Sequence, residues 1–157
     1  MFKKNIFYFF FTTTIFLIDR LSKYWVINNL VAERKHEIIL SSYLNLNLIW
    51  NKGIAFGLLS FGEINYYNIL TGLIIFITII VLYLAIKAKG IEKYSFMMIC
   101  GGSSGNIFDR LLYQAVPDFI DIHYENFHWF IFNVADIFIT LGVFLLILKE
   151  FFLKIKN

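Results

Sequence analysis

The sequence predicts an all-α integral membrane protein with four transmembrane helices and a small extracytoplasmic β-rich segment. Three observations support this fold class. The 157 residues are 59% hydrophobic and only 16% charged, whereas soluble domains carry roughly 25% charged residues. Four stretches approach the ~20 apolar residues that a spanning helix needs. Between the first two of them, one short stretch alternates apolar and polar residues, which is typical of a strand.

The four predicted spans belong to a single membrane domain, residues 1–157, and cover about 5–27, 67–86, 94–112 and 132–153. The first span follows two lysines, as a cleavable signal peptide would. It has no small-residue cleavage site, and charged residues follow on the same apolar segment, so we predict an uncleaved helix. The third span is the weakest because glycines and polar residues interrupt it.

The lysines predict the orientation of the chain. Clusters at 3–4, 87–93 and 149–156 all fall on one side of a four-span protein, and such clusters favour the cytoplasmic side. Both termini are then cytoplasmic, and the external segments are about 28–66 and 112–131. Trp25, Trp50 and Trp129 fall toward the opposite side, as an interfacial aromatic belt would.

The first external segment contains the predicted strand. Leu44, Leu46, Leu48 and Trp50 alternate with mostly polar neighbours, and a turn is predicted at 51–53. We expect a small sheet at the outer membrane surface, within about 28–66, that covers a site or touches lipid.

Composition excludes several classes of site. The net charge is +3, and because the basic residues form no stripe, we expect no nucleic-acid partner. Cys100 is the only cysteine, so no intrachain disulfide is possible. His123 and His128 are five residues apart with no cysteine nearby, so we expect no zinc site, no other metal and no cofactor.

Two clusters of polar residues lie on the first and third predicted spans. Asp19 and Lys23 are four apart, share a helix face beside Arg20, and form either a structural ion pair or a substrate contact. Residues 101–110 combine small residues, which allow close helix packing, with Asp109 and Arg110. These two side chains point in different directions, so each is expected to reach a partner on another segment.

Two further clusters lie at the predicted outer surface. Residues 51–57 (NKGIAFG) form either an ordinary turn or part of a site. Asp118 and Asp136 lie at the outer ends of spans three and four, so both are near one surface. They are either two solvated carboxylates or a pair that shares one proton and performs acid/base hydrolysis. Asp121 and Glu125 lie between them among polar residues and are expected to be solvated.

The residues alone leave three classes of protein open. The first is a hydrolase that uses the pair Asp118 and Asp136. Intramembrane Asp, Arg and Lys also suit a small transporter, although no internal repeat supports one. A structural or assembly subunit is the third class, and it predicts that both aspartates are replaceable. A membrane aspartyl protease with a Gly-x-Gly-Asp site is disfavoured because that tetrapeptide does not occur.

Five motifs, in order along most of the chain, resemble those of the bacterial lipoprotein signal peptidases (signal peptidase II). They are residues 19–23 (DRLSK), 51–56 (NKGIAF), 101–110 (GGSSGNIFDR), 116–119 (VPDF) and 132–136 (FNVAD). Pro117 replaces the family's second valine. Proline favours an extended approach to Asp118, so we expect no loss of activity.

The resemblance implies a membrane aspartic endopeptidase that cleaves signal peptides from diacylglyceryl-modified prolipoproteins, just before the lipidated cysteine. It implies a bacterial cytoplasmic membrane location, with the active site toward the extracytoplasmic face. Membrane lipids and inhibition by globomycin-type cyclic peptides are implied as well. The catalytic pair falls on Asp118 and Asp136. The substrate-binding or site-supporting positions fall on Asp19, Lys23, Asn51, Gly53, Asn106, Asp109, Arg110, Asn133 and Ala135.

Overall fold

The computed structural model describes residues 2–32, 37–53 and 64–156. These residues form four long helices and one small sheet. In chain order the elements are α1 (Phe2–Ala32), β1 (Ile38–Ser41), β2 (Leu44–Asn51), α2 (Ile64–Lys87), α3 (Gly90–Tyr113), β3 (Val116–Tyr124), β4 (Phe127–His128) and α4 (Val134–Lys156).

The four helices lie where the sequence predicts spans, and they extend beyond the predicted ends except at the start of α4, which begins at Val134 instead of about 132. Helix α1 has 31 residues and reaches Ala32 instead of about 27, so the start of the first external segment is helical. Among the described residues, one helical stretch, Tyr67–Lys87, is both long and apolar enough to cross a membrane. The other three helices carry more charge, and their crossing of a membrane stays a prediction.

The sheet is larger than the sequence predicts. The strand expected around residues 44–50 is confirmed as β2, which pairs antiparallel with β1. However, β2 also pairs antiparallel with β3, and β3 with β4. The strand order is β1-β2-β3-β4. The expectation that the sheet lies within about 28–66 was therefore wrong, because its other half comes from the segment between α3 and α4.

A small apolar core fixes this sheet against the end of α1. Val26 and Leu30 of α1 pack with Leu46 of β2 and Phe119 of β3, and each of these side chains is at least nine-tenths buried. Burying such side chains contributes roughly 1.5–3 kcal/mol each. The sheet is thus held at one end of the helices, and that end carries the polar clusters.

Glycines let α1 and α4 approach α3 closely. A Cβ at Gly102 would lie 2.5 Å from the carbonyl oxygen of Ala135, at the start of α4. A Cβ at Gly105 would overlap the carboxylate of Asp19 in α1. Such contacts need residues without side chains. Helix α3 therefore lies against both α1 and α4 at the level of the buried carboxylates.

Helix α3 then ends at a defined residue. Gln114 adopts a left-handed conformation with φ of 54°, and its N–H donates to the carbonyl of Arg110 at 3.2 Å. This type of helix end satisfies a carbonyl that has no partner inside the helix. The chain turns there and enters β3, which carries Asp118.

Candidate active site

Asp118 lies on β3 opposite the end of β2. Ile49 pairs with Asp118, and Asn51 pairs with Val116. The Asn51 Nδ2 donates to Asp118 Oδ2 at 2.8 Å, and Asn51 Oδ1 accepts from the N–H of Gly53 at 2.8 Å. The bond to Gly53 fixes which end of the amide is the acceptor. The NH₂ group of Asn51 is therefore directed at the carboxylate.

Asp136 lies in the first turn of α4, where it forms a reciprocal cap with Asn133. The Asp136 N–H donates to Asn133 Oδ1 at 3.1 Å, and the Asn133 N–H donates to Asp136 Oδ2 at 3.2 Å. This arrangement satisfies two backbone donors that a helix start leaves free. The negative charge also lies at the positive end of the helix dipole.

Asn133 joins the two aspartates. Its Nδ2 donates to Asp118 Oδ1 at 2.6 Å, while its backbone N–H and its Oδ1 bind Asp136. The preceding residue, Phe132, exchanges hydrogen bonds with Ile120 of β3. The start of α4 is thereby held beside β3, which brings the two carboxylates to one site although eighteen residues separate them.

Asn106 of α3 is the third amide at this site. Its Nδ2 donates to Asp136 Oδ1 at 2.9 Å, and its Oδ1 accepts from the Lys23 ammonium at 2.9 Å. The ammonium can only donate, so it fixes the orientation of the amide. Each oxygen of the two carboxylates thus accepts one N–H, and every donor is a neutral amide.

A buried ion-pair network lies behind Asn106. Lys23 is 1% exposed and binds Asp19 at 3.0 Å and Asp109 at 2.7 Å. Arg20 binds Asp109 at 2.5 Å and Asp19 at 3.2 Å. The predicted Asp19–Lys23 pair is confirmed. Asp109 pairs with α1 and not with its sequence neighbour Arg110, as expected.

The network also holds α4. Asp19 Oδ1 accepts the N–H of Ala135 at 3.0 Å, next to Asp136. Arg110 donates to the carbonyl oxygens of Gly53 and, at 3.4 Å, of Asn106. Every site residue that the sequence predicts is therefore part of one hydrogen-bonded cluster with Asp118 and Asp136. Residues 54–57 of the predicted 51–57 motif lie outside the described residues.

Burial decides how Asp118 titrates. Its side chain is 3% exposed, and the loss of hydration raises its pKa from 3.8 to about 6. The neighbouring negative charge of Asp136 acts in the same direction, whereas the amides of Asn133 and Asn51 partly oppose the shift. The alternative of a solvated loop-edge carboxylate is therefore wrong for Asp118.

A cavity of about 630 Å³ opens beside Asp136. Asn106, Arg110 and Asp136 line its polar part. Most of the other lining residues are apolar: Ile74, Ile122, Trp129, Phe130, Phe132, Ile137, Ile139 and Leu141. A cavity of this size with a few convergent polar groups is typical of a ligand site. Apolar ligand segments would lie along these walls, with a polar group at the carboxylates.

Two features of the region were not predicted. Asp121 was expected to be solvated, but it is 2% exposed and contacts His128. Trp129 and Phe130, beside β4, line the cavity. The alternation of Ile120, Ile122 and Tyr124 with polar residues is a strand signal that could have revealed β3.

Known proteins resemble this chain over most of its length. The family model for signal peptidase (SPase) II matches residues 11–152. A lipoprotein signal peptidase of Pelagibacter ubique is 49% identical over 143 residues, which cover 91% of this chain and 86% of that protein. A lipoprotein signal peptidase of Francisella tularensis subsp. novicida is 40% identical over 154 residues, covering 96% and 94%.

Solved structures resemble the fold as well. A bacterial membrane enzyme determined by the in meso method at 2.3 Å resolution superposes with a TM-score of 0.74 and 27% identity, covering 92% of this chain and 87% of that one. A second, at 1.9 Å, gives a TM-score of 0.69 over 91% of each chain. With the family match across nearly the whole sequence, these likenesses favour the enzyme over a transporter or an assembly subunit. The chain belongs to the signal peptidase II family and is a membrane protease.

Proposed function

We propose that this protein is an aspartic endopeptidase that removes signal peptides from prolipoproteins, with Asp118 and Asp136 as its catalytic pair. The observation that carries the proposal is the convergence of the two carboxylates on Asn133, which binds both. The names of the relatives, lipoprotein signal peptidases, support prolipoproteins as the substrate class.

The chemistry follows from two carboxylates that share one proton. The raised pKa of Asp118, about 6, supports a pair that holds one proton near pH 6. The ionised member takes a proton from water while the oxygen attacks the scissile carbonyl carbon. The protonated member donates its proton to the carbonyl oxygen, which gives a gem-diol.

Collapse of the gem-diol completes the reaction. A carboxylic acid group of the pair donates a proton to the amide nitrogen, the C–N bond breaks, and a gem-diol hydroxyl returns a proton to the pair. The products are a carboxylic acid and an amine. Asn51, Asn106 and Asn133 hold the carboxylates by neutral N–H donors. These donors fix the geometry without adding a positive charge that would prevent one aspartate from holding a proton.

The substrate is proposed to be diacylglyceryl-modified and to be cut just before the lipidated cysteine. The apolar cavity that ends at Asn106, Arg110 and Asp136 supports this. An apolar signal helix and acyl chains match its walls, and the scissile peptide group would meet the polar end. Arg110, which already binds the carbonyl of Gly53, has further N–H groups that suit a substrate carbonyl. Cyclic peptides of the globomycin type are proposed to occupy the same cavity.

All four helices are proposed to cross the bacterial cytoplasmic membrane, with both termini cytoplasmic. The exposed apolar side chains along α2, among them Ile69, Phe76 and Ile80, support contact with lipid. Lys149 near the end of α4 pairs with Glu92 at the start of α3 at 2.6 Å. That lysine-rich end lies thirteen residues, or roughly 20 Å of helix, from Asp136. The active site is then at the extracytoplasmic surface.

Cleavage of a defined substrate tests the proposal. Purified protein in detergent is given a diacylglyceryl-modified prolipoprotein and, in parallel, its unlipidated form. Asp118→Asn and Asp136→Asn are expected to abolish cleavage, while each variant still folds and unfolds in one cooperative thermal transition. Glu125→Gln is the matched control, because it neutralises an exposed acidic residue of the same external segment.

Two results would contradict the proposal. Turnover at the wild-type rate by either aspartate variant would exclude the pair as catalytic. Equal cleavage of both substrate forms would exclude recognition of the lipid. Mass spectrometry of the product identifies the cut bond, which must be the one preceding the modified cysteine.

A further inference from the structure

We propose that the external sheet binds one divalent transition-metal ion through Asp121 and His123 of β3 and His128 of β4. These residues belong to none of the five family-like motifs, and the peptidase mechanism proposed above does not use them. The proposal concerns a structural site and is independent of the catalytic assignment.

Strand pairing brings the three side chains together. Asp121 and His123 are two residues apart on β3, so they lie on the same face of the sheet. His128 is the cross-strand partner of His123. One nitrogen or oxygen from each of the three residues lies within 4.8 Å of the others. The expectation of no zinc site depended on the spacing of His123 and His128 along the chain, which does not show that the two residues pair across a hairpin.

The group is already compact. His128 Nδ1 lies 3.0 Å from Asp121 Oδ2, and the rings of His123 and His128 stack with centroids 5.1 Å apart at 23°. Metal–ligand bonds of ~2.0–2.2 Å in a tetrahedral site place neighbouring ligand atoms roughly 3.4 Å apart. Small rotations of the His123 and His128 side chains would bring all three atoms to this spacing.

Two buried atoms beside this group have no hydrogen-bond partner. One is His123 Nδ1 and the other is Asn45 Oδ1. Asn45 is 8% exposed and lies opposite Asp121 in the β2–β3 register, so its side chain is on the face that carries the cluster. Buried polar atoms without partners are uncommon and call for an explanation. Both can offer a lone pair, which is what a metal ion requires.

An Asp121–His128 ion pair alone does not explain the arrangement. It accounts for the carboxylate and for one imidazole, but it leaves His123 Nδ1 and Asn45 Oδ1 without partners. A metal ion bound through Nδ1 of His123 would use the first of these atoms, and Asn45, which lies opposite Asp121, would supply Oδ1 as a fourth ligand. Two imidazoles and one carboxylate are a ligand set that suits Zn²⁺ and its first-row neighbours.

Bound metal would tie β4 to β3. The residues that follow β4, Trp129 and Phe130, line the cavity beside Asp136. The Trp129 N–H also donates to the carbonyl of Ile122 at 2.8 Å. The metal is therefore expected to stabilise the hairpin that forms one wall of the cavity, because a ligand that binds only the folded state adds to its stability.

Zn²⁺ binding to the full-length protein tests the proposal. The protein is purified in detergent without a polyhistidine tag, stripped with a chelator, and titrated with Zn²⁺ by calorimetry. Co²⁺ serves as a second probe because its visible absorption reports the ligand geometry. The variants are His128→Asn, at an exposed position where folding is least affected, and Asp121→Asn. His36→Asn, at the third histidine of the chain, and Glu125→Gln are the controls.

The expected result is one Zn²⁺ per wild-type chain, a tetrahedral Co²⁺ spectrum and a higher unfolding temperature with Zn²⁺. Removing a residue that only hydrogen-bonds to a metal ligand weakens metal binding about 10- to 100-fold. Both ligand variants should therefore lose at least about tenfold in affinity, and the controls should match the wild type. Absence of saturable binding to the wild type would overturn the proposal. Unchanged affinity in folded His128→Asn or Asp121→Asn would do the same.

Discussion

Replacing Asp118 with asparagine should change how the stability of the protein depends on pH. The pKa of Asp118 is about 6 in the folded protein, against an ordinary value of 3.8. The folded state therefore binds this proton more tightly than the unfolded state does. The resulting stabilisation is complete below pH 3.8 and is lost as the pH rises through about 6. Asp118→Asn removes this dependence.

The size of the effect follows from the two pKa values. A difference of 2.2 units, 6 minus 3.8, corresponds to about 3 kcal/mol over the full range. About 2 kcal/mol of this falls between pH 4 and pH 7. The free energy of unfolding of the variant, relative to the wild type, should therefore rise by about 2 kcal/mol from pH 4 to pH 7.

The assay is reversible unfolding in mixed detergent micelles, followed by circular dichroism at several pH values. Only the difference between the two proteins is used, since other groups titrate in both. Glu125→Gln corrects for the loss of one negative charge in the same segment. A difference that is flat across the range, or that falls with pH, would refute the assignment of a raised pKa to Asp118. At neutral pH the variant also loses a hydrogen bond, because its NH₂ group faces an amide donor of Asn51 or Asn133.

Three further predictions follow from the site. Cleavage by the wild type should fall as the pH rises above about 6, because Asp118 then loses the proton that the pair shares; a pH profile of kcat with no basic limb near that value would contradict the shared proton. Lys23→Met should destabilise the protein by about 3–5 kcal/mol, since Arg20 then remains as the one cation for the two buried carboxylates of Asp19 and Asp109; unfolding in detergent measures this loss, and an unchanged free energy would exclude the network as a support. Gly102→Ala should cost about 1–3 kcal/mol and reduce kcat, because the added Cβ meets α4 beside Asp136. Gly72→Ala is the matched control, since a Cβ there meets nothing within 4 Å, and equal unfolding free energies and rates for the two glycine variants would contradict the close-packing argument.

The helices and the residues of the polar cluster were predictable because local patterns determine them. Hydrophobic stretches of about 20 residues gave four helices at the correct places. Asp19 and Lys23 were predicted to pair because residues four apart lie on the same face of any helix. The family-like motifs supplied the remaining positions. In each case the information lies within a few neighbouring residues.

The partners across the fold were not predictable in the same way. Asp109 was expected to reach another segment, but no pattern indicates that this segment is α1. Strand β3 was missed because it begins beside Pro117 and lies between two predicted spans. Proline is usually found at strand edges or ends, yet Pro117 pairs with Trp50 inside the β2–β3 ladder. The burial of Asp121 depends on that pairing, and residue spacing cannot show it.

The arrangement of charges explains how a buried acid pair coexists with the cations Lys23 and Arg20 nearby. Lys23 and Arg20 are balanced by Asp19 and Asp109, so the network carries no net charge. Asn106 lies between Lys23 and Asp136. It accepts a hydrogen bond from the ammonium and donates one to the carboxylate, so no cation contacts Asp136 there. A lysine in direct contact with Asp136 would hold that carboxylate ionised and would oppose the sharing of a proton. The neutral amides therefore separate two tasks. The ion pairs hold α1, α3 and α4 together, and the asparagines orient the aspartates. In the proposed mechanism, this arrangement leaves one proton free to move between water, substrate and the pair.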